Sequence, residues 1–193
     1  MTTDEIKTLL EQRLSPKRYA HSLGVADEAA KLAARWDYDK KKAYFMGLIH
    51  DITKNMSDQA HLKLCHDSGI MLDAVERRSP KLFHAKTGAY VAKCDLAVED
   101  REILTAIAYH TTGRAGMSLP EKILYLADFI EPHRRFDGVE TLRRLAYQDL
   151  DEAMLLALRM SVGYVLEDGN LLHLDTVQAM NDFIIICADK RQG

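Results

Sequence analysis

Residues 45–51 have the sequence FMGLIHD, an apolar run that ends in an adjacent imidazole and carboxylate. The run lies at the far end of a helix predicted over 40–51, with Asp39 as its N-cap. This helix end is expected to be buried, and imidazole or carboxylate side chains are seldom buried unless they are paired or bind a metal. The burial of His50 beside Asp51 therefore predicts a compensating partner, and a divalent cation would serve.

A second His-Asp dipeptide lacks this apolar context. His66 and Asp67 close a polar helix that Ser57 is predicted to cap and that ends near Gly69. We interpret both as ordinary polar residues at a helix end.

Helical signals run along the whole chain, and no segment alternates apolar and polar residues with a period of two over a convincing length. The sequence also lacks repeats, low-complexity tracts and linkers rich in Pro, Gly or Ser. We therefore predict one all-α domain over residues 1–193, a helical bundle. Apolar spacing and capping residues predict further helices over 16–36, 84–97, 100–110 and 118–128, and later helices capped by Asp137, Asp149 and Asp175.

The composition excludes several classes of partner. The 193 residues contain 26 Lys and Arg against 29 Asp and Glu, a formal charge of -3, so no basic excess is available for nucleic acid or an anionic membrane. The longest apolar stretches, such as 183–188, are far shorter than the about 20 residues of a bilayer span. The start of the sequence lacks the pattern of a signal peptide, and three widely spaced cysteines favour a reducing cytoplasm over disulfides.

Other imidazoles and carboxylates occupy the ends of apolar helical segments in the same way as His50 and Asp51. His21 lies beside Tyr19 and Leu23, and three further residues begin or end apolar runs: His84, His110 and Asp128. Any one of them alone is more often a satisfied core or capping residue. Together they predict a single metal site at the centre of the bundle.

This ordered set resembles the HD superfamily of metal-dependent phosphohydrolases, and its details resemble the YqeK branch, the bacterial symmetrical bis(5′-nucleosyl)-tetraphosphatases. The resemblance covers nearly the whole chain, and the run ADFIEP over 127–132 is its most specific part. Leu174 departs from the pattern, where a proline is expected, which leaves the shape of that loop open. The other supporting stretches are RYAHS over 18–22, GLIHDITK over 47–54, HAKTG over 84–88, YHTTG over 109–113 and LHLDT over 172–176.

The resemblance implies a metal set of His21, His50, Asp51 and Asp128. Two imidazoles and two carboxylates leave positions open for water and a phosphate oxygen, and mixed N/O ligands suit iron or manganese, of which the resemblance favours iron. His84 and His110 either bind a second metal or contact phosphate directly, and the resemblance favours phosphate. A structural role, as buried imidazoles bonded to backbone carbonyls, is the alternative. Catalytic roles are expected for Asp51, Lys54, His84 and His110.

The resemblance also implies which residues contact the substrate. Lys54 and Arg134 are expected to hold phosphate, whereas Arg135 is interpreted as a solvated neighbour. Asp175 is equally well explained as a plain N-cap. The full expected set is His21, Asp51, Lys54, His84, His110, Thr111, Asp128, Arg134, Leu172, His173, Asp175 and Thr176.

The function implied by the resemblance is hydrolysis of diadenosine tetraphosphate to two ADP by metal-activated water. Two alternatives stay open at this point: another HD phosphohydrolase acting on nucleoside mono- or triphosphates, and a non-catalytic nucleotide-sensing protein. The partner in each case is a dinucleoside polyphosphate or another nucleotide, and a homodimer is compatible with the sequence.

Overall fold

Ten α-helices and two short 3₁₀ helices form the computed structural model, which describes residues 1–192 and contains no strand in that range. The predicted all-α class is therefore confirmed. The α-helices are α1 Thr3–Arg13, α2 Pro16–Arg35, α3 Lys40–Ile49, α4 Asp58–Ser68, α5 Phe83–Cys94, α6 Arg101–Tyr109, α7 Leu119–Ile130, α8 Val139–Ala146, α9 Leu150–Glu167 and α10 Leu174–Lys190. The 3₁₀ helices are Glu76–Arg78 and Pro80–Leu82.

Capping side chains fix most helix starts where the sequence predicts them. Ser15 accepts from the Arg18 amide at the start of α2, and Asp39 accepts from the first amides of α3. At the start of α7, Glu121 accepts from both the amide and the hydroxyl of Ser118.

Several predicted helix ends are wrong. Helix α3 ends at Ile49 and not at Asp51, and α7 extends beyond Asp128 to Ile130. Gly138, with φ +89°, occupies the cap position of α8 in place of Asp137. His173 caps α10 in place of Asp175, because its Nδ1 accepts the Asp175 amide at 3.1 Å. Helix α5 ends at Cys94 and not at Ala97, whose φ of +54° belongs to the left-handed region and cannot continue a helix.

The position of α3 against α2 depends on one glycine. Gly47 approaches α2 so closely that a Cβ atom on it would lie 2.8 Å from the Ala26 Cα. On either side of this contact, Met46, Leu48 and Ile49 are fully buried. The close crossing brings the end of α3, with its His-Asp pair, against the face of α2 that carries His21.

The other helices complete this core. Helix α7 packs against α2, α3, α6 and α9, while α5 packs on α6, and α10 packs on α9. One cluster of buried apolar side chains includes residues from α1 to α10, such as Leu10, Leu124 and Phe183. This shared core supports the proposal that the chain is one domain. Among the helices of residues 1–192, none combines the length and apolar character required for crossing a membrane.

Candidate metal centre

Six side chains from five helices meet at the inner ends of those helices. His21 projects from α2, His50 and Asp51 follow the last turn of α3, and the remaining three are His84 of α5, His110 at the end of α6 and Asp128 of α7. All are buried except Asp128, whose side chain is 20% exposed. The apolar segments of α3, α6 and α7 pack in the core, and their burial also places the polar residues at the ends of these helices inside the protein.

The carboxylate of Asp51 lies at the middle of the group. Its Oδ2 is 3.4 Å from Nε2 of His50 and 3.8 Å from Nε2 of His21. Its Oδ1 is 3.2 Å from Nε2 of His84 and 3.8 Å from Nε2 of His110. Asp51 therefore faces four imidazole rings through a single carboxylate group.

Backbone carbonyls fix the orientation of two rings. Nδ1 of His50 donates to the Gly47 carbonyl at 2.7 Å, and Nδ1 of His110 donates to the Ile107 carbonyl at 2.7 Å. With the proton held on Nδ1, the neutral ring carries its lone pair on Nε2, which faces the centre. Both rings thus present a ligand atom to the same point.

A buried carboxylate orients the third ring. Oε1 of Glu131 lies 3.1 Å from Nδ1 of His21, and Glu131 Oε2 accepts the His133 amide at 2.7 Å. Gly24, one turn after His21, leaves space for the Glu131 carboxylate, because a Cβ atom on residue 24 would lie 2.7 Å from Glu131 Oε2. A carboxylate behind a ligating histidine is a common device for directing Nε2 to a metal.

The centre contains buried polar atoms that lack hydrogen-bond partners within residues 1–192. These atoms are Nε2 of His21, Nε2 of His50 and Oδ1 of Asp51. Nε2 of His21 lies 3.0 Å from Oδ1 of Asp128 but without the geometry of a hydrogen bond. Because buried polar atoms are seldom left unpaired, these positions fit a bound ion.

The possible ligand atoms are close enough together to share a cation. In each of three overlapping groups they lie within 4.8 Å of one another: His21, His50 and Asp51; His50, His110 and Asp128; and Asp51, His84 and His110. The structure therefore brings together all four residues of the expected metal set, with His50 common to the first two groups. His110 is placed as a further candidate ligand.

The surroundings keep both carboxylates ionised. Burial alone would raise the pKa of Asp51, but the facing His50, His110 and His84 lower it well below its usual value. For Asp128, burial is likewise outweighed by His21 and by the guanidinium of Arg134, so its pKa is also well below the usual value. An anionic pair is what a divalent ligand set requires.

A cationic side chain stands beside the remaining rings. Nε2 of His84 is 3.1 Å from Nε2 of His110, and Nζ of Lys54 is 3.1 Å from each ring nitrogen of His84. Burial lowers the pKa of His84 well below its usual value and also lowers the pKa of Lys54. A neutral His84 has one N–H donor and one free lone pair, so it can donate to a phosphate oxygen or bind a metal, and both expected roles stay open.

The centre opens into a cavity of about 860 Å³. At the end near the centre, its lining includes Lys54, His110, Thr111, Asp128 and Arg134, all of them in the expected substrate-binding set. The segment 172–176, also in that set, is not among the described residues that line this cavity. There, His173 caps α10 and its Nε2 lies 2.8 Å from Oδ2 of Asp73. The substrate roles of Leu172, His173, Asp175 and Thr176 stay predictions.

Two residues of the site were missed by sequence reasoning. A guanidinium nitrogen of Arg18 lies 2.7 Å from Oδ2 of Asp51, and Glu131 directs His21 as described. Each stands three residues from an expected ligand, Arg18 before His21 and Glu131 after Asp128. Residues three apart share a helix face, so this spacing could have indicated both.

Comparisons with known proteins agree with this geometry. The HD domain family matches residues 18–133, more than half of the chain and the part that holds all six residues of the centre. The chain belongs to the HD domain family. The expected resemblance is thereby confirmed.

Several relatives of this HD protein carry one name. The symmetrical bis(5′-nucleosyl)-tetraphosphatase of Bacillus subtilis is 34% identical over 181 residues, which are 94% of this chain and 97% of the relative. The enzyme of the same name from Halalkalibacterium halodurans is 34% identical and covers 92% of this chain and 94% of its own. A solved structure of an HD superfamily hydrolase from Clostridium acetobutylicum, described as involved in NAD metabolism, is 40% identical with a TM-score of 0.93, over 95% of this chain and 97% of that one.

Proposed function

We propose that this HD protein hydrolyses diadenosine tetraphosphate symmetrically to two ADP. The observation that carries the proposal is the convergence of unpaired, buried ligand atoms of His21, His50 and Asp51 at one end of a cavity that also holds two cationic side chains, Lys54 and Arg134. The geometry supports metal-dependent phosphohydrolase chemistry, and the identity of the substrate is taken from the names of the relatives.

His21, His50, Asp51 and Asp128 would hold the metal, with His110 within reach of the same position. Such an ion supplies water of lowered pKa and polarises the phosphoryl group that is attacked. Mixed nitrogen and oxygen ligands suit iron or manganese, and we propose iron as the resident metal. The remaining catalytic work belongs to the side chains around it.

The cations Lys54 and Arg134 would bind the polyphosphate. Both line the cavity, and Arg134 reaches it while its guanidinium pairs with Asp128. A guanidinium can grip two phosphate oxygens at once, and an ammonium serves as a point charge. Together they would neutralise charge that develops on the phosphate oxygens as one ADP departs.

His84 and His110 would contact the phosphate next to the centre by donating from Nε2, which for His110 requires the doubly protonated ring because its Nδ1 proton already goes to the Ile107 carbonyl. His110 lines the cavity together with Lys54 and Thr111, and Nε2 of His84 lies 3.1 Å from Nε2 of His110. Arg18 has a positioning role in this proposal, because its guanidinium pairs with Oδ2 of Asp51 at 2.7 Å. It holds the carboxylate in its orientation toward the four rings.

Incubation of the metal-loaded protein with diadenosine tetraphosphate, with chromatography of the products, tests the proposal. We expect ADP as the sole product and no turnover after chelation of the metal. A mixture of ATP and AMP would contradict symmetrical cleavage, and turnover of nucleoside mono- or triphosphates alone would indicate a different HD phosphohydrolase. Binding of the nucleotide without any product would indicate a sensing protein.

The cellular compartment and the oligomeric state of the protein are proposed separately from its activity. Cys65 and Cys187 are buried thiols and Cys94 is an exposed one, with no disulfide among the described residues. Free thiols suit a reducing compartment, and we place the protein in the cytoplasm on that basis. The homodimer stays a prediction, to be tested by the mass of the protein in solution.

A further inference from the structure

The cavity has an aromatic wall beyond its cationic end. Phe129 of α7 stacks on Tyr125, with ring centroids 6.0 Å apart and planes inclined by 14°. Phe136, in the loop after α7, meets Phe129 edge to face at 5.4 Å. Tyr164 of α9 lines the same cavity. None of these rings has a role in the metal centre.

Helix geometry joins this wall directly to the metal centre. Tyr125, Asp128 and Phe129 stand at positions i, i+3 and i+4 of α7, so they share one face of the helix. Asp128 thus presents its carboxylate to the metal centre while Phe129, the next residue, faces the cavity. A ligand whose phosphates lie at Asp128 would have its next group beside these rings.

Two of the rings are incompletely covered by protein. Phe136 is 37% exposed and Tyr164 is 60% exposed, although both border a concave surface. Gly163 of α9 also lines the cavity, and it leaves open space there, because a Cβ atom on it would meet no neighbouring atom within 4 Å. Partly uncovered aromatic side chains in a concave pocket are typical of a site for a flat apolar ligand group.

Charge separates the two ends of the cavity. The cations Lys54 and Arg134 lie at the metal end, whereas carboxylates accompany the aromatic rings: Asp137 follows Phe136, and Glu167 lies one helical turn beyond Tyr164. Carboxylates repel phosphate, so the aromatic end favours an uncharged group over a second part of the polyphosphate.

We propose that Phe129, Phe136 and Tyr164 form a subsite for one purine base of the dinucleoside polyphosphate. Every purine presents a flat π face, and aromatic side chains stack on such faces. The inference rests on the proposed function for the identity of the substrate. The subsite is distinct from segment 172–176, which is not among the described residues that line the cavity.

Four variants on one helix test the subsite. Tyr164→Ala removes a ring, Gly163→Leu fills the space beside it, and Gly163→Ala adds only a methyl group. Leu166→Ala is the matched control, because Leu166 is 61% exposed on the same helix and does not line the cavity. The helical circular dichroism signal and its melting curve establish that each variant is folded.

The KM for diadenosine tetraphosphate and the inhibition constants of ADP and inorganic tripolyphosphate are measured for each folded variant. We expect Tyr164→Ala to raise the KM at least about 5-fold, the equivalent of ~1 kcal/mol of base stacking. Gly163→Leu should raise it further than Gly163→Ala, and Leu166→Ala should leave it at the wild-type value. The inhibition constant of tripolyphosphate, which has no base, should stay the same throughout.

An unchanged KM in both Tyr164→Ala and Gly163→Leu would overturn the subsite, as would an equal loss of affinity for tripolyphosphate. A wild-type protein that binds ADP without hydrolysing diadenosine tetraphosphate would overturn the proposed function alone. Calorimetric binding of ADP to the same variants would then test the subsite, with the same order of affinities expected.

Discussion

Oε1 of Glu131 lies 3.1 Å from Nδ1 of His21, on the side of the ring away from the metal centre. This contact turns Nε2 of His21 toward Asp51 and Asp128. Glu131 is itself 1% exposed, so its carboxylate is held in place by the protein and not by water. The metal site therefore depends on a residue that would not touch the metal.

We predict that Glu131→Ala weakens metal binding about 10- to 100-fold, the usual effect of removing such a partner. Glu131→Gln should weaken it less, because an amide oxygen can still accept from Nδ1 of His21. Metal titration of the purified variants measures both values. Glu140→Gln, an exposed carboxylate on α8, is the control, and equal metal affinity in Glu131→Ala and wild type would show that His21 needs no such support.

Arg134→Ala is expected to lower kcat/KM for diadenosine tetraphosphate about 10-fold or more, since hydrogen bonds to charged groups contribute ~1.5–3 kcal/mol. The metal content should not change: although Arg134 pairs with Asp128, His21 also lies beside that carboxylate and lowers its pKa. Arg135→Ala is the matched control, as its guanidinium contacts only the carbonyls of Pro132 and Arg134 among the described residues. Loss of metal in Arg134→Ala would mean that the role of Arg134 is misassigned.

Gly47→Ala is expected to destabilise the protein by about 1–3 kcal/mol, because the new Cβ would lie 2.8 Å from the backbone of Ala26. The shift of α3 should also displace His50 and reduce metal affinity. Chemical denaturation measures the free energy of unfolding. Gly163→Ala provides the comparison: its Cβ meets nothing within 4 Å, and replacing a glycine within a helix should stabilise by up to ~1 kcal/mol.

The burial of His61 is expected to make the free energy of unfolding depend on pH. The ring is buried, its Nδ1 lies 2.9 Å from the Thr87 hydroxyl, and burial lowers its pKa below the ordinary value. The unfolded chain therefore takes up the proton at higher pH than the folded one. The stabilising contribution is fully present above about pH 6.5 and is lost as the pH falls toward the lowered pKa.

Unfolding free energies of wild type and His61→Gln, measured from pH 8 downward, isolate this contribution. We expect the difference between the two proteins to be constant above pH 7 and to change in favour of the variant as the pH falls below 6.5. A difference that is constant across the whole range would show that His61 titrates alike in the folded and unfolded states.

Local sequence signals predicted the helices and the members of the centre because both depend on short-range patterns. Ser15 and Asp39 cap helices where expected, and His50 with Asp51 lies at the end of an apolar helix. The cap of α10 was missed since a histidine side chain replaces the favoured aspartate there, and Asp175 is the second residue of the helix.

The parts that could not be predicted depend on contacts between distant segments. His21 and Glu131 are 110 residues apart in the sequence, so no local pattern predicts their contact. The aromatic wall likewise combines rings from α7, α9 and the loop between α7 and α8. The orientation of the His50 ring could not be predicted either. Its Nδ1 donates to the carbonyl of Gly47, and this contact depends on α3 ending at Ile49.

Metal content of wild type and Asp51→Ala, determined by elemental analysis beside an assay of diadenosine tetraphosphate hydrolysis, probes the proposed centre most directly. We expect the wild type to bind a divalent ion and to release ADP, and we expect Asp51→Ala to lose both the ion and the activity while its helical circular dichroism signal persists. Full activity and undiminished metal in folded Asp51→Ala would contradict the assignment of this cluster as the site of hydrolysis.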